Sequence, residues 1–138
     1  MKDEPNPTVT IAKTIFLAAA PDAVWEHLTN ADKLGIWFHR ADADLVDGRD
    51  YQLLSEAGDA ICWGRVTQME PPRRLAYTFT VKPLGGVMTN VEWTLDAVAG
   101  GTRLSLVHAG LPEGEEAFSL ITALDAGWDA HLGRLRTA

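Results

Sequence analysis

The stretch from Glu115 to Arg136, EEAFSLITALDAGWDAHLGRLR, sets the architecture. Phe118, Ile121, Leu124, Trp128, Leu132 and Leu135 recur in it at three- and four-residue steps, the spacing that lines up one face of an α-helix. Glu115 and Glu116 at its start and Arg134 and Arg136 at its end complement the helix dipole. An apolar stripe this long needs a surface to cover, and most of the chain before it reads as strand. The expectation is an α+β fold in which a curved sheet wraps one long helix.

Upstream, Val9, Ile11, Ile15 and Leu17 alternate with polar or small residues, a period-two strand whose apolar face is interrupted only by Lys13. Pro21 and Asp22 suit the first turn of a short helix that buries Val24 and Leu28. A second short helix is expected from Ala31 to about Trp37, turning Leu34, Trp37 and Phe38 inward. From Ala41 onward the punctuation changes to strand and turn. Asp47-Gly48 precedes Tyr51 and Leu53, and Ala57-Gly58-Asp59 precedes the run Ile61 to Met69, which Pro71-Pro72 ends. Leu75, Tyr77, Phe79 and Val81 form one apolar face; Val87, Val91, Trp93 and Leu95 the next; Leu104, Leu106 and His108 the last. Gly85-Gly86 and Gly100-Gly101 join these as hairpins. The expected order is strand, two helices, six strands, long helix: seven strands in all, within one domain over 8–138 that follows a flexible polar segment at 1–7.

Composition excludes several functions. The 138 residues carry a net charge of −7 and no basic cluster larger than Arg73-Arg74, so no nucleic-acid partner is expected. No apolar run approaches the ~18 residues of a membrane span, so membrane insertion is not expected either. Cys62 is the single cysteine and no secretory leader is read, which gives a reducing, cytoplasmic location as the expectation. His27, His39, His108 and His131 have no second ligand at metal-site spacing, and neither a Gly-x-Ser-x-Gly elbow nor a phosphate loop is present; no metal and no cofactor are expected.

Certain motifs bear a resemblance. Ala20-Pro21-Asp22-Ala23-Val24-Trp25 followed by Trp37-Phe38, then Gly64-Arg65-Val66 before Pro71-Pro72-Arg73-Arg74-Leu75, then Gly101-Thr102-Arg103-Leu104, and finally Gly127-Trp128, occur in an order that resembles the activator-of-Hsp90-ATPase-homologue (AHSA1-like) branch of the START/Bet v 1-like (SRPBCC) superfamily. The resemblance runs from about Thr8 to the C-terminus. It implies a helix-grip fold, with a seven-stranded antiparallel sheet around the C-terminal helix and a cavity for apolar ligands. Carriers of lipids and hormones, polyketide cyclases and partner-binding modules all use this fold, so the fold alone does not select a chemistry.

The residues expected to line such a cavity are Tyr77, Phe79, Val91 and Trp93 from the sheet, Phe118, Ile121 and Trp128 from the helix, and Trp37 at the entrance. Two polar side chains fall on the same surfaces. At about 100° per residue Asp125 lies between Phe118 and Leu132 on the helix stripe, and His108 lies on the inward face of the last strand. A carboxylate and an imidazole in one apolar space could orient a ligand hydroxyl or move a proton. Against that, a strand histidine is more often a hydrogen-bonded structural group, and Asp125 can simply reach water. Three readings follow: binding of a small apolar or aromatic molecule, a cyclase or dehydratase using Asp125, His108 and Tyr77 as proton carriers, and a protein-interaction module, with a homodimer compatible with the exposed Trp63 expected on the outer sheet surface.

Overall fold

The computed structural model describes residues 8–138; the flexible segment expected at 1–7 lies outside the described residues. The sheet starts with β1 (Thr8–Leu17), whose Ile11 and Leu17 are buried, with Lys13 and Ile15 half-buried on the same face, while Ala12, Thr14 and Phe16 face water. Ala18 to Ala20 turn the chain into α1 (Pro21–Thr29), which starts on Pro21 and buries Val24 and Leu28. Asn30 then ends α1 and caps α2 (Ala31–Trp37), its side-chain oxygen accepting from the Asp32 and Lys33 amides at 3.1 and 3.0 Å. β2 (Asp50–Leu54), β3 (Ala60–Glu70), β4 (Arg74–Val81), β5 (Thr89–Val98) and β6 (Gly101–Pro112) follow, and α3 (Glu115–Arg136) closes the chain.

All pairings are antiparallel, in the spatial order β1-β6-β5-β4-β3-β2. The sheet therefore has six strands, and the seventh expected around Ala41 does not form. Ala41 makes one isolated bridge to Leu53. Beyond it the chain leaves the edge because its polar groups pair elsewhere: the Asp44 carboxylate accepts from the Ala31 amide at 2.8 Å, the Leu45 amide donates to the Thr29 carbonyl at 2.9 Å, and Leu45 is buried. The aspartate-rich segment pins the α1–α2 junction instead of extending the ladder. Val87, expected to begin the β5 face, precedes that strand and is exposed. A single helical turn, Lys82–Leu84, buries Leu84 ahead of Gly85, whose φ of 63° only glycine adopts freely.

The concave face of the sheet carries Val66, Leu75, Tyr77, Phe79, Val91, Trp93, Leu95, Leu104 and Leu106, all buried against the helices. α3 covers this face with Trp128, Leu132 and Leu135, each large buried apolar side chain being worth roughly 1.5–3 kcal/mol. Trp63 and Arg65 alternate to the other side of β3, as expected, because Cys62, Gly64 and Val66 turn inward. Gly64 has no room for a side chain: a Cβ there would lie 2.0 Å from the Thr78 carbonyl oxygen. The Tyr51 hydroxyl crosses at this position to donate to that same oxygen at 2.6 Å.

Gly64→Ala should accordingly destabilise the protein by about 1–3 kcal/mol, since the clash is with backbone and cannot be relieved by a rotamer change. Urea denaturation measures it, and a loss below the error of the method would show that β3 and β4 have more freedom than their packing indicates.

Candidate functional site

Three indoles meet at the centre of the concave face. Trp93 stands edge-on to both Trp37 and Trp128, with ring centroids 5.8 and 5.7 Å apart. Each indole N–H has a partner: Trp37 Nε1 donates to the His27 carbonyl at 2.7 Å, Trp93 Nε1 to the Tyr77 hydroxyl at 2.9 Å, and Trp128 Nε1 to His108 Nδ1 at 3.0 Å. The last bond determines the state of His108. An indole nitrogen can only donate, so Nδ1 accepts and the imidazole proton sits on Nε2, which lies 2.7 Å from Thr89 Oγ1. Thr89 passes its own proton to the Phe79 carbonyl at 2.6 Å. The relay Trp128, His108, Thr89, Phe79 links α3 to β6, β5 and β4, and both imidazole nitrogens are used in it.

Beside this aromatic centre α3 does not close onto the sheet. A hollow of about 210 Å³ remains between the helix and β3–β4, walled by Cys62, Phe79 and Val81 from the sheet, by Ala123, Leu124, Gly127 and Trp128 from α3, and by Phe38, His39 and His131 at its rim. Small residues on the helix cause it: Ala123 and Gly127 are one turn apart, and a Cβ added at Gly127 would meet nothing within 4 Å. A second hollow of about 470 Å³, lined in part by Gly35, Arg40, Ser55 and Ile61, shares Phe38 and His39 with the first.

The expected site residues separate into three groups. Phe79 and Trp128 line the hollow. Trp37, Tyr77, Val91, Trp93 and His108 are brought together but lie in the packed interior, with Trp37 only 1% exposed, so Trp37 supports the site and does not form its entrance. Ile121 is half-buried against the core. Phe118 and Asp125 do not point inward. Measured around the helix axis from Trp128 at about 100° per residue, Phe118 and Asp125 lie roughly 80° and 60° to one side, whereas Leu124 and Gly127 lie roughly 40° and 100° to the other. Phe118 is 70% exposed. Asp125 faces β1, where its carboxylate and that of Asp129 meet Lys13 Nζ at 2.7 and 3.0 Å.

Residues 18–138 match the family described as activator of Hsp90 ATPase homolog 1-like protein. The chain belongs to that family. Among solved structures, protein MLL2253 from Mesorhizobium loti superposes with a TM-score of 0.82 at 20% identity over 94% of this chain and 95% of that one. Protein BH1534 from Bacillus halodurans gives 0.77 at 26% identity over 94% and 95%, and an Aha1 dimer from Colwellia psychrerythraea gives 0.77 at 20% over 93% of each. No curated protein matches the chain.

Within this AHSA1-like chain neither His108 nor Asp125, both expected as proton carriers, is free to act in the hollow. Burial pulls His108 from the usual 6.5 to about 4, so it is neutral at pH 7, and with both nitrogens committed it has no free lone pair to offer. Asp125 is on the surface with Lys13, whose ammonium the two aspartates stabilise by raising its pKa. Burial also pushes the Cys62 thiol up to about 12, leaving it unreactive as a nucleophile. The described residues contain no group of three potential metal ligands and no helix long and apolar enough to cross a membrane. The sequence reading passed over Phe38, His39, Ala123, Gly127 and His131 as site residues. The signal for the hollow was a glycine beside the apolar stripe of a long helix, where packing alone would favour a larger residue.

A depressed histidine pKa stabilises the fold above the unfolded value of 6.5 and loses that contribution as pH falls toward the folded value. Between pH 7 and 4, His108 should therefore remove roughly 3 kcal/mol of stability, and His131, also held near 4 by burial, acts in the same direction. Urea denaturation at pH 7, 5.5 and 4 measures the slope; stability that stays level across this range would mean that His108 is not held neutral.

Proposed function

We propose that this protein binds a small apolar or aromatic molecule in the hollow between α3 and strands β3 and β4. The observation that carries the reading is the pairing of a sheet face rich in aromatic residues with a helix that presents Ala123 and Gly127 to it, so that space persists where Phe79, Val81, Leu124 and Trp128 offer apolar walls. A space of about 210 Å³ suits a body of one or two rings, and the adjoining hollow gives a larger molecule room to extend past Phe38. The cyclase or dehydratase reading loses support, because His108 is consumed in the relay, Asp125 lies outside the hollow, and Tyr77 is buried away from the hollow with its hydroxyl accepting from Trp93. The buried, unpaired Cys62 fits a reducing, cytoplasmic setting. Residues 8–138 would act as one binding domain.

A thermal-shift screen of aromatic and aliphatic compounds tests this. A binder present at a hundred times its Kd should add about 2.7 kcal/mol of stability, and Gly127→Leu, which fills the hollow from the helix side, should abolish the shift without lowering the melting temperature of the unliganded protein. Shifts that persist in Gly127→Leu would place the binding site elsewhere, and a large panel without a single shift would count against a carrier.

Self-association is a second reading. The Colwellia psychrerythraea relative is described as a dimer, and this chain exposes Phe16 on β1 and Phe118 at the start of α3. Sedimentation equilibrium distinguishes a concentration-dependent dimer from a monomer.

A further inference from the structure

The walls of the hollow select an apolar body, and its rim selects a head group. His39 and His131 stand at the rim with ring centroids 5.3 Å apart, both lining the hollow. Arg134, one turn from Ala130 on α3, stands behind His131 rather than in the lining of the hollow: its Nε donates to the Trp37 carbonyl at 3.2 Å and its Nη2 donates to His131 Nδ1. His131 Nδ1 also lies 3.3 Å from the Trp37 carbonyl, but a guanidinium cannot accept, so in the Arg134 contact Nδ1 accepts and the ring proton is carried on Nε2, which has no hydrogen-bond partner among the described residues. His39 likewise makes no hydrogen bond there. Arg134 retains N–H groups beyond the two already used.

The charge balance at the rim bears on the head group. Its net charge is −7, and Lys13, Lys33, Arg65, Arg73, Arg74 and Arg103 each have a carboxylate partner. Among the described residues Arg40, Arg49, Lys82, Arg134 and Arg136 have none within ion-pair distance, and of these Arg134 is the one whose side chain is hydrogen-bonded to a residue lining the hollow. Arg40 lines the adjoining hollow, where Glu56 is the acidic residue; no carboxylate lines the hollow that holds His131. Burial together with the charge of Arg134 keeps both imidazoles neutral, so they present N–H donors without adding charge of their own. One uncompensated guanidinium and two imidazoles beside an apolar space match the chemistry of a carboxylate attached to a hydrocarbon.

We propose that the molecule held in the hollow is a small aromatic or aliphatic acid, its carbon skeleton against Phe79, Leu124 and Trp128 and its carboxylate received by His131 and Arg134 at the rim. This rests on the hollow being a ligand site at all. Calorimetric titration with naphthoate and with naphthamide, which share a skeleton and differ in the charge of the head, tests the two claims separately. The unaltered protein should bind the acid at least ~10-fold more tightly than the amide at pH 7 and low salt, and Arg134→Met should bring the two within about 2-fold of each other, the acid losing most of its affinity and the amide remaining a measurable binder. Retained amide binding in that variant also shows that the hollow is still formed. Gly127→Leu should abolish both. Equal affinities in the unaltered protein, or a preference for acid that survives Arg134→Met, would overturn the acid assignment and leave the hollow as a site for neutral apolar ligands. Binding of neither probe would overturn the acid assignment together with the ligand site, and acid binding unaffected by Gly127→Leu would locate it outside the hollow.

Discussion

The bond from the Trp128 indole to the His108 imidazole is the constraint on which the arrangement of helix and sheet depends. Apolar burial alone would let a helix slide or rotate on a sheet at modest cost, because the hydrophobic effect is non-directional. A buried hydrogen-bond chain is directional, and leaving one of its members unpaired costs about 1–3 kcal/mol. With Trp128 donating to His108, His108 to Thr89 and Thr89 to the Phe79 carbonyl, α3 is held at one depth and one rotation relative to three strands. The histidine is neutral because of where it is buried, and its neutrality is what allows Nδ1 to accept from the indole.

Fixing the rotation of α3 gives its two flanks different roles. On one side Asp125 and Asp129 clasp Lys13 of β1, which draws the helix against that edge of the sheet. On the other side Ala123 and Gly127 leave the helix short of β3 and β4, and the hollow opens there. A helix free to rotate could bring Leu124 down to fill the gap. The bulky indole of Trp128, edge-on to Trp93 and tied to His108, keeps it from doing so. Site and scaffold are thus consequences of one another: the same residue that anchors the helix forms a wall of the space beside it.

Much of this was legible in the chain. The apolar spacing of Trp128, Leu132 and Leu135 located the buried face of α3, strand alternation located all six strands that form, and the motif order identified the family. Phe118 was misplaced because successive three-residue steps each rotate roughly 60° around a helix, so the stripe through 118, 121 and 124 drifts from one flank toward the other. Lys13 on an apolar strand face and Asp125 on an apolar helix face were both visible as anomalies; periodicity gives the angle of a residue on its own element but not which neighbour stands opposite, so their pairing was not. The seventh strand failed because the aspartates after Ala41 satisfy backbone donors of the α1–α2 junction and of β2, an interaction with no signature in alternation. The hollow was hardest to foresee, since it consists of side chains that are small or missing.

The relay itself is open to direct observation through the nitrogen chemical shifts of the His108 ring. Two-dimensional 15N–1H NMR of selectively histidine-labelled protein should show, at pH 7, one protonated Nε2 and one unprotonated, hydrogen-bonded Nδ1, with that pattern unchanged down to about pH 5. A ring protonated on Nδ1, or one that takes up its second proton near the ordinary 6.5, would contradict the relay and with it the account of how α3 is held above the sheet.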